Sequence, residues 1–231
     1  MSNQQNPAGV ASTASVELKF LTVTSQLFEE NCYVVYREGS SACVVVDPGL
    51  EPDRIIAAIE EAKLVPEAIL LTHGHADHIA GNAVMKEHWP ELPLIIGEGD
   101  APKLLDPVAN LSEGFGVGFT SPPADRTVVE SETLEFDGVV WTVLETPGHS
   151  SGHVVFVAKG ASPMLLLGGD VLFAGSVGRT DFPDSNPAAL FSSIREKLYP
   201  LPDESLVLPG HGPPTTIGRE KRTNPFVGVA E

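Results

Sequence analysis

The sequence predicts a mixed α/β fold in which two β-sheets carry helices on their outer faces. Three observations support this. The apolar segments run as strands, helix, strand, helix, then strands, helix, strand, an order that strict βα alternation does not produce. Ala68-Ile69-Leu70-Leu71 is a continuous apolar run, as expected of a strand buried on both faces. The 231 residues, at about 150 per domain, suffice for one large domain with at most a small appendage. The expected organisation is a loose tail over 1–15 and a single domain over 16–231.

The elements follow in order. Residues 1–15 are polar and aperiodic. Val- and Leu-rich segments at 17–24, 31–37 and 42–47 predict strands, ended by the turn Asp47-Pro48-Gly49. A helix is expected over Pro52–Lys63, with proline in its first position and Ile55, Ile56 and Ile59 on one face. The strand at 68–71 runs straight into Thr72-His73-Gly74-His75-Ala76-Asp77-His78. A helix over about His78–Trp89 and a strand at 93–96 come next, then a Gly- and Pro-rich stretch, Glu98–Arg126, that reads as a long loop with one short helix and suits a rim or lid. Strands at 133–136, 139–145, 153–158 and 164–168 precede a second Gly-rich stretch, Gly168–Asp184. Asn186-Pro187 caps a helix striped by Leu190, Phe191, Ile194 and Leu198, and a strand at 205–208 leads into Pro209-Gly210-His211-Gly212.

Charge excludes some functions. Fourteen Lys and Arg against 31 Asp and Glu leave a formal charge of -17, and phosphate binding runs on clustered cations, so nucleic acid and anionic membranes are not expected partners. The excess is uneven: residues 1–178 hold 24 acidic and 8 basic side chains, residues 179–231 hold 7 and 6. The 22 glycines and 20 prolines make about 18% of the chain, above average usage yet below the ~25–30% of disordered chains. No apolar run approaches the ~18 residues of a membrane span and no signal peptide is visible, so a cytoplasmic address is expected. A hairpin turn at Gly39-Ser40 would pair residue 36 with Cys43 and leave Cys32 about 13 Å away at ~3.3 Å per residue. That exceeds disulfide reach, so two reduced thiols are expected.

The chemistry concentrates in the histidines. Of seven, His73, His75 and His78 fall within six residues around Asp77, directly after a buried strand. His73 and His75 share a face of an extended segment, while Asp77 and His78 begin a helix out of phase with them. That spacing offers two ligand pairs and suits two metals better than one. Three further strand ends each present one ligand type after small residues: Pro147-Gly148-His149, Gly168-Gly169-Asp170 and Pro209-Gly210-His211. Five histidines and two aspartates suit two divalent ions, zinc first, with iron or manganese as alternatives. His88 and His153 read as structural.

These residues resemble the metallo-β-lactamase-fold hydrolases, whose motif Thr-His-x-His-x-Asp-His followed by separate His, Asp and His is filled here in order over roughly residues 17–226. Within that superfamily the chain looks most like the short bacterial glyoxalase II (hydroxyacylglutathione hydrolase) group. The supporting segments are Asn31-Cys32-Tyr33, Thr146–His153, Gly178-Arg179-Thr180-Asp181-Phe182-Pro183, Pro209–Pro213 and Thr223–Phe226. The resemblance implies an αββα sandwich with a catalytic edge. It implies that His73, His75 and His149 bind one metal, that Asp77, His78 and His211 bind the other, and that Asp170 bridges, with Asp77 and Asp170 the catalytic carboxylates. It also implies hydrolysis of S-D-lactoylglutathione or a related small-molecule thioester through attack by a metal-bound hydroxide, with Arg179 as a candidate substrate contact. The thiol departs without a strong acid, since its pKa is only about 8.5.

Two rivals remain. Persulfide dioxygenases of the same fold share a Gly-Arg-Thr-Asp-Phe segment, found here at 178–182, and would hold one iron on His73, His149 and Asp170. A non-catalytic metal-binding protein is the rival from another class. Zinc β-lactamases commonly place Cys at the Asp170 position and lack the His78 equivalent. Asp181 stands where glyoxalase II relatives place a tyrosine contact, so the thiol part of the substrate is open. No surface stripe chooses an oligomeric state.

Overall fold

The computed structural model describes residues 15–229; the tail expected over 1–15 lies outside the described residues except for Ser15. The first sheet has the order β1 (Leu18–Thr24), β2 (Asn31–Arg37), β3 (Ala42–Val46), β4 (Val65–Leu71), β5 (Leu94–Gly97) and β6 (Arg126–Val128). Its first three strands are antiparallel neighbours, and β3 to β6 run parallel. The second sheet is built from β7 (Thr133–Phe136), β8 (Val139–Glu145), β9 (Val154–Ala158), β10 (Leu165–Gly169), β13 (Leu206–Pro209) and β14 (Thr215–Thr216), in the order β14-β13-β10-β9-β8-β7. A small hairpin, β11 (Leu172–Phe173) with β12 (Ser176–Val177), follows β10.

Period-2 alternation sorts the side chains into three apolar layers. Tyr33, Val35, Val44, Val46, Ala68 and Leu70 meet Phe156 and Leu167 between the sheets. The alternate residues Cys32, Val34, Cys43, Val45, Ile69 and Leu71 face outward onto Ile55 and Ile59 of α1 (Pro52–Glu61) and Met85 of α3 (Asn82–His88). On the other side Val155, Val157 and Leu166 pack under Leu190 of α4 (Pro187–Ser193), Ile194 and Ile217 of α5 (Ile217–Thr223). The layering is therefore helix, sheet, sheet, helix. Strands covered on both faces need apolar residues at every position, which is why the run at 68–71 carries no alternation of polarity. Tyr36 pairs with Cys43 as the hairpin argument required, and both cysteines are free thiols.

Several boundaries differ from the sequence expectation. The helix expected over 78–89 is two helices, α2 (Ala76–Ile79) and α3, because the chain is pinned at Gly81. The Gly81 N–H donates to Pro48 O at 2.8 Å, and a β-carbon there would stand 2.7 Å from Gly49 O. The helix expected to reach Lys63 ends at Glu61, and the helix expected to reach Leu198 loosens into a π turn over Ile194–Leu198. The expectation missed β6, β14 and α5, all short, and the β11–β12 hairpin inside the Gly-rich stretch. The 98–126 loop carries two short 3₁₀ turns, Ala101–Leu105 and Glu113–Phe115.

Candidate metal centre

Four strand ends converge at one edge of the sandwich. His73, His75, Asp77 and His78 follow β4, His149 follows β8, Asp170 follows β10 and His211 follows β13. Since β8, β10 and β13 point the same way through their shared neighbours, their C-terminal ends present all three residues on one rim. Small residues let the ligand types approach. A β-carbon on Gly74 would stand 2.7 Å from Lys103 Cβ, and one on Gly210 would collide with Asp170 Oδ1 and the His78 ring.

The side chains gather in two separate triads whose candidate ligand atoms lie within 4.8 Å of one another, His73, His75 and His149, then Asp77, His78 and His211; a third such group, Asp47, His73 and His78, shares a histidine with each. In the first, His75 Nδ1 lies 2.9 Å from His149 Nε2. In the second, Asp77 Oδ2 lies 3.3 Å from His211 Nε2 and 3.7 Å from His78 Nε2. Asp170 sits between them, with Oδ2 3.5 Å from His149 Nε2 and 3.6 Å from His211 Nε2, and Oδ1 3.5 Å from His78 Nε2. All seven residues singled out by spacing are brought together here.

The outer hydrogen bonds decide which nitrogen of each ring is free. His149 Nδ1 meets Arg179 O at 2.9 Å and His211 Nδ1 meets Phe28 O at 3.1 Å. A carbonyl only accepts, so both Nδ1 atoms carry a proton, and in the neutral rings both Nε2 lone pairs face inward. His78 Nδ1 lies 3.2 Å from Asp47 Oδ2, which also accepts the Thr72 hydroxyl at 2.7 Å. With its proton spent on Asp47, Thr72 Oγ1 accepts from His73 Nδ1 at 3.0 Å. Four rings therefore turn Nε2 inward, while His75 turns Nδ1. Such orienting partners fix ring tautomers at metal sites.

Electrostatics separates the rings. Burial, then the neighbouring imidazoles, holds His73 and His75 well below the ordinary histidine range. Burial also pulls on His78, but the carboxylates Asp77, Asp170 and Asp47 outweigh it and lift His78 well above that range. His211 is lifted likewise, its burial outweighed by the Asp77 hydrogen bond and the Asp170 charge. Asp77 stays ionised, since His78 and His211 overcome the cost of its burial and hold it well below the usual carboxylate value.

A divalent cation fits this set. His73 Nε2, His78 Nε2 and Asp170 Oδ1 are buried without a hydrogen-bond partner, as is His75 Nε2 on the far side of its ring. A buried polar atom left unpaired costs about 1–3 kcal/mol, and lone pairs converging from two triads are what a cation accepts. Mixed imidazole and carboxylate donors suit zinc, iron or manganese.

Sequence spacing missed the residues that hold the candidate ligands in place. Asp47, read only as part of a turn, is buried at φ 49° and serves both His78 and Thr72. His153 is buried as expected of a structural residue, but what it holds is the Asp170 backbone N–H. Lys103 is buried from the 98–126 loop, and its ammonium reaches Ser150 Oγ, Asp184 Oδ2 at 2.5 Å and Asp100 Oδ1 at 3.1 Å. Asp100 in turn accepts the N–H groups of Gly74 and Gly152 at 2.9 and 2.8 Å. No motif marks these residues, because each acts across a distance in sequence. His88 is a half-exposed partner of Glu60.

A cleft of about 270 Å³ opens onto His75, Asp77, His149, Asp170 and His211. Its outer walls include Phe28, Leu111, Phe115, Phe173, Phe182 and Arg179. Arg179 is exposed and doubly paired with Asp181, at 2.9 and 2.8 Å, with its guanidinium 4.7 Å from the centre of the Phe182 ring. Of the other C-terminal cations, Lys221 and Arg222 pair with Asp203, Lys197 with Glu130 and Arg219 with Glu220.

The profile of the Metallo-beta-lactamase superfamily matches residues 26–211. A relative named hydroxyacylglutathione hydrolase GloC, from Haemophilus influenzae, is 37% identical over 92% of this chain and 98% of its own. Among solved structures, the BLEG-1 B3 metallo-beta-lactamase superposes with a TM-score of 0.85 at 34% identity, covering 90% of this chain and 99% of that one. TTHA1623 in a di-iron-bound form gives 0.77 at 40%, over 89% and 99%. ETHE1 from Myxococcus xanthus gives 0.75 at 27%, over 92% and 86%. Among the described residues no helix is long and apolar enough to cross a membrane.

Proposed function

The chain belongs to the metallo-beta-lactamase superfamily of metal-dependent hydrolases, and on that premise we propose that it is a thioesterase of the glyoxalase II kind, cleaving S-D-lactoylglutathione or a related thioester. The observation that carries this reading is the position of Asp170 between two complete triads, with one oxygen toward His149 and His211 and the other toward His78. His73, His75 and His149 would hold one ion, Asp77, His78 and His211 the other, and Asp170 would bridge. Two divalent ions, when bound, supply a nucleophile at neutral pH and Lewis-acid polarisation of a carbonyl oxygen.

The chain's own groups do the rest. The carbonyls of Phe28 and Arg179, with Asp47 and Thr72, keep the ring protons on the outer nitrogens. Asp77 keeps its charge at every physiological pH because His78 and His211 hold its pKa down. The aromatic wall of Phe28, Phe115 and Phe182 limits water around the scissile bond. Hydrolysis adds water across the C–S bond, giving the acid and the thiol, and a thiol of pKa about 8.5 leaves without a dedicated acid.

A second reading, persulfide dioxygenation on a single iron, is favoured by the Gly178–Phe182 segment, which resembles that of the persulfide dioxygenases of the same fold. The complete second triad speaks for the hydrolase instead. The test is a substrate panel on protein loaded with zinc, iron or manganese: thioesters including S-D-lactoylglutathione, a β-lactam, and oxygen uptake with glutathione persulfide. Thioester hydrolysis above the β-lactam rate, without oxygen uptake, is expected. Oxygen uptake alone would establish the second reading, and β-lactam cleavage alone would reject both.

A further inference from the structure

We propose that the substrate carries an uncharged, apolar group beside the scissile carbonyl, seated among Phe28, Leu111, Phe115 and Phe182. This deepens the thioesterase reading and rests on it.

The cleft walls are aromatic and aliphatic where they leave the metal ligands. Phe28 and Phe115 meet edge to face at 5.1 Å, and Phe182 packs against the rings of His75 and His149 at 5.1 and 5.5 Å. The groove continues outward along Val108, Leu111, Phe115 and Phe182 for about another 390 Å³. Val108 and Phe115 remain 65% and 52% exposed at this rim, an apolar surface facing a cleft instead of a core.

Charge argues the same way. Among the described residues Arg179 is the one cationic side chain lining the cleft, and its guanidinium is already paired with Asp181 at the surface. Glu113 adds a carboxylate to the outer groove. A thiol bearing two carboxylates, such as glutathione, finds no unpaired cationic side chain on the walls outside the metal-binding floor, whereas an alkyl or aryl group finds an apolar wall.

The loop geometry supplies a separate observation. Leu111 is held at φ 71°, in the left-handed region that leucine avoids. Its neighbours keep it there: Asn110 and Ser112 are fully buried, Asn110 Oδ1 accepts the Ser112 N–H at 2.9 Å, and Asn110 O accepts the N–H of Ala76 at 2.8 Å. The bond to Ala76 ties the loop to the residue preceding Asp77. Strain retained at a cleft wall, on a loop anchored to the metal-ligand segment, points to a role for the leucine side chain.

The experiment uses the metal-loaded protein and uncharged N-acetylcysteamine thioesters with acyl chains from acetyl to octanoyl. A second arm lengthens the thiol side at a constant acetyl group. A third measures binding of the matching alkyl thioethers, which cannot be hydrolysed. A gain of about fourfold in kcat/KM per methylene is expected in one hydrolytic arm until the groove is full, with about fourfold tighter thioether binding per methylene. Phe115→Ala and Leu111→Gly flatten both series, and glycine at φ 71° relieves strain, so Leu111→Gly remains folded. Flat series, or faster cleavage of S-D-lactoylglutathione than of every uncharged thioester, would overturn the inference and leave the thioesterase reading intact. If no thioester is cleaved, that reading falls, and the thioether series decides the apolar cleft by itself: tightening supports it and constant affinity overturns it.

Discussion

The backbone N–H of Asp170 donates to Nε2 of His153 at 3.1 Å. An N–H can only donate, so Nε2 is bare and the ring proton sits on Nδ1, 2.9 Å from Thr146 Oγ1. Burial, followed by the neighbouring imidazoles, holds His153 well below the ordinary histidine range and keeps it neutral. A histidine without a ligand's orientation thus sets the backbone of the residue that stands between the two triads.

His153→Ala leaves that N–H unpaired in a buried site. The expected result is a loss of about 2–3 kcal/mol in stability and a roughly 10–100-fold weaker metal affinity. Urea unfolding of the metal-free protein and metal titration read the two separately. His153→Gln, which offers an amide oxygen to the same N–H, recovers part of both. Wild-type metal affinity in the alanine variant would reduce His153 to packing.

Asp170→Ala removes the two oxygens that face His149, His211 and His78. Elemental analysis is expected to show at least one ion lost per chain, with thioester turnover down by about a hundredfold or more, of the order of one electrostatic stabiliser removed. Unchanged metal content and turnover would exclude Asp170 as a metal ligand.

Metal stabilisation is expected to grow with pH. Metal binds the neutral ring, and in the metal-free protein His78 and His211 are protonated to higher pH than an ordinary histidine. Their raised pKa also stabilises the metal-free fold below about pH 6.5, and that contribution is lost as pH rises through the folded values. His73 and His75 are already neutral and displace no proton. Both effects widen the difference in Tm between loaded and chelated protein from pH 6 to pH 8. A constant difference across that range would contradict the assignment.

Lys103→Met removes the ammonium that clamps the 98–126 loop to Ser150 and Asp184 and pairs with Asp100. Removing one partner of a buried pair costs about 3–5 kcal/mol, whereas Asp184→Asn, at the exposed end, costs under about 1. Burial would lift the Asp184 carboxyl, but the Lys103 ammonium outweighs it and holds the pKa at about 2. That contribution is present above about pH 4 and lost as pH falls towards 2. Acid unfolding of Lys103→Met should therefore lack this step, and equal chemical stability of the two variants would show that the clamp is not buried in solution.

The sequence made the candidate ligands and the layered fold legible because both rest on local pattern. Four ligand types in six residues after a buried strand, and single ligands after small residues at three other strand ends, need no knowledge of contacts. Continuous apolar runs likewise imply strands covered on both faces. The split at Gly81 was not legible, since its cause is the carbonyl of Pro48, more than thirty residues away. Short strands such as Thr215–Thr216 carry too few residues for a period to emerge.

By itself, then, the sequence determined which side chains can bind metal and the class of fold that presents them, because residue type and short spacing suffice for both. Tertiary structure alone decided how those side chains are used. Ring tautomers follow from Phe28, Asp47, Thr72 and Arg179; the set of Asp170 follows from His153; the character of the cleft follows from a leucine held at φ 71° and an arginine already paired with Asp181. Hydrogen bonds and burial are made between residues distant in sequence, and their effect on a lone pair or a charge exists only once the chain has closed around it.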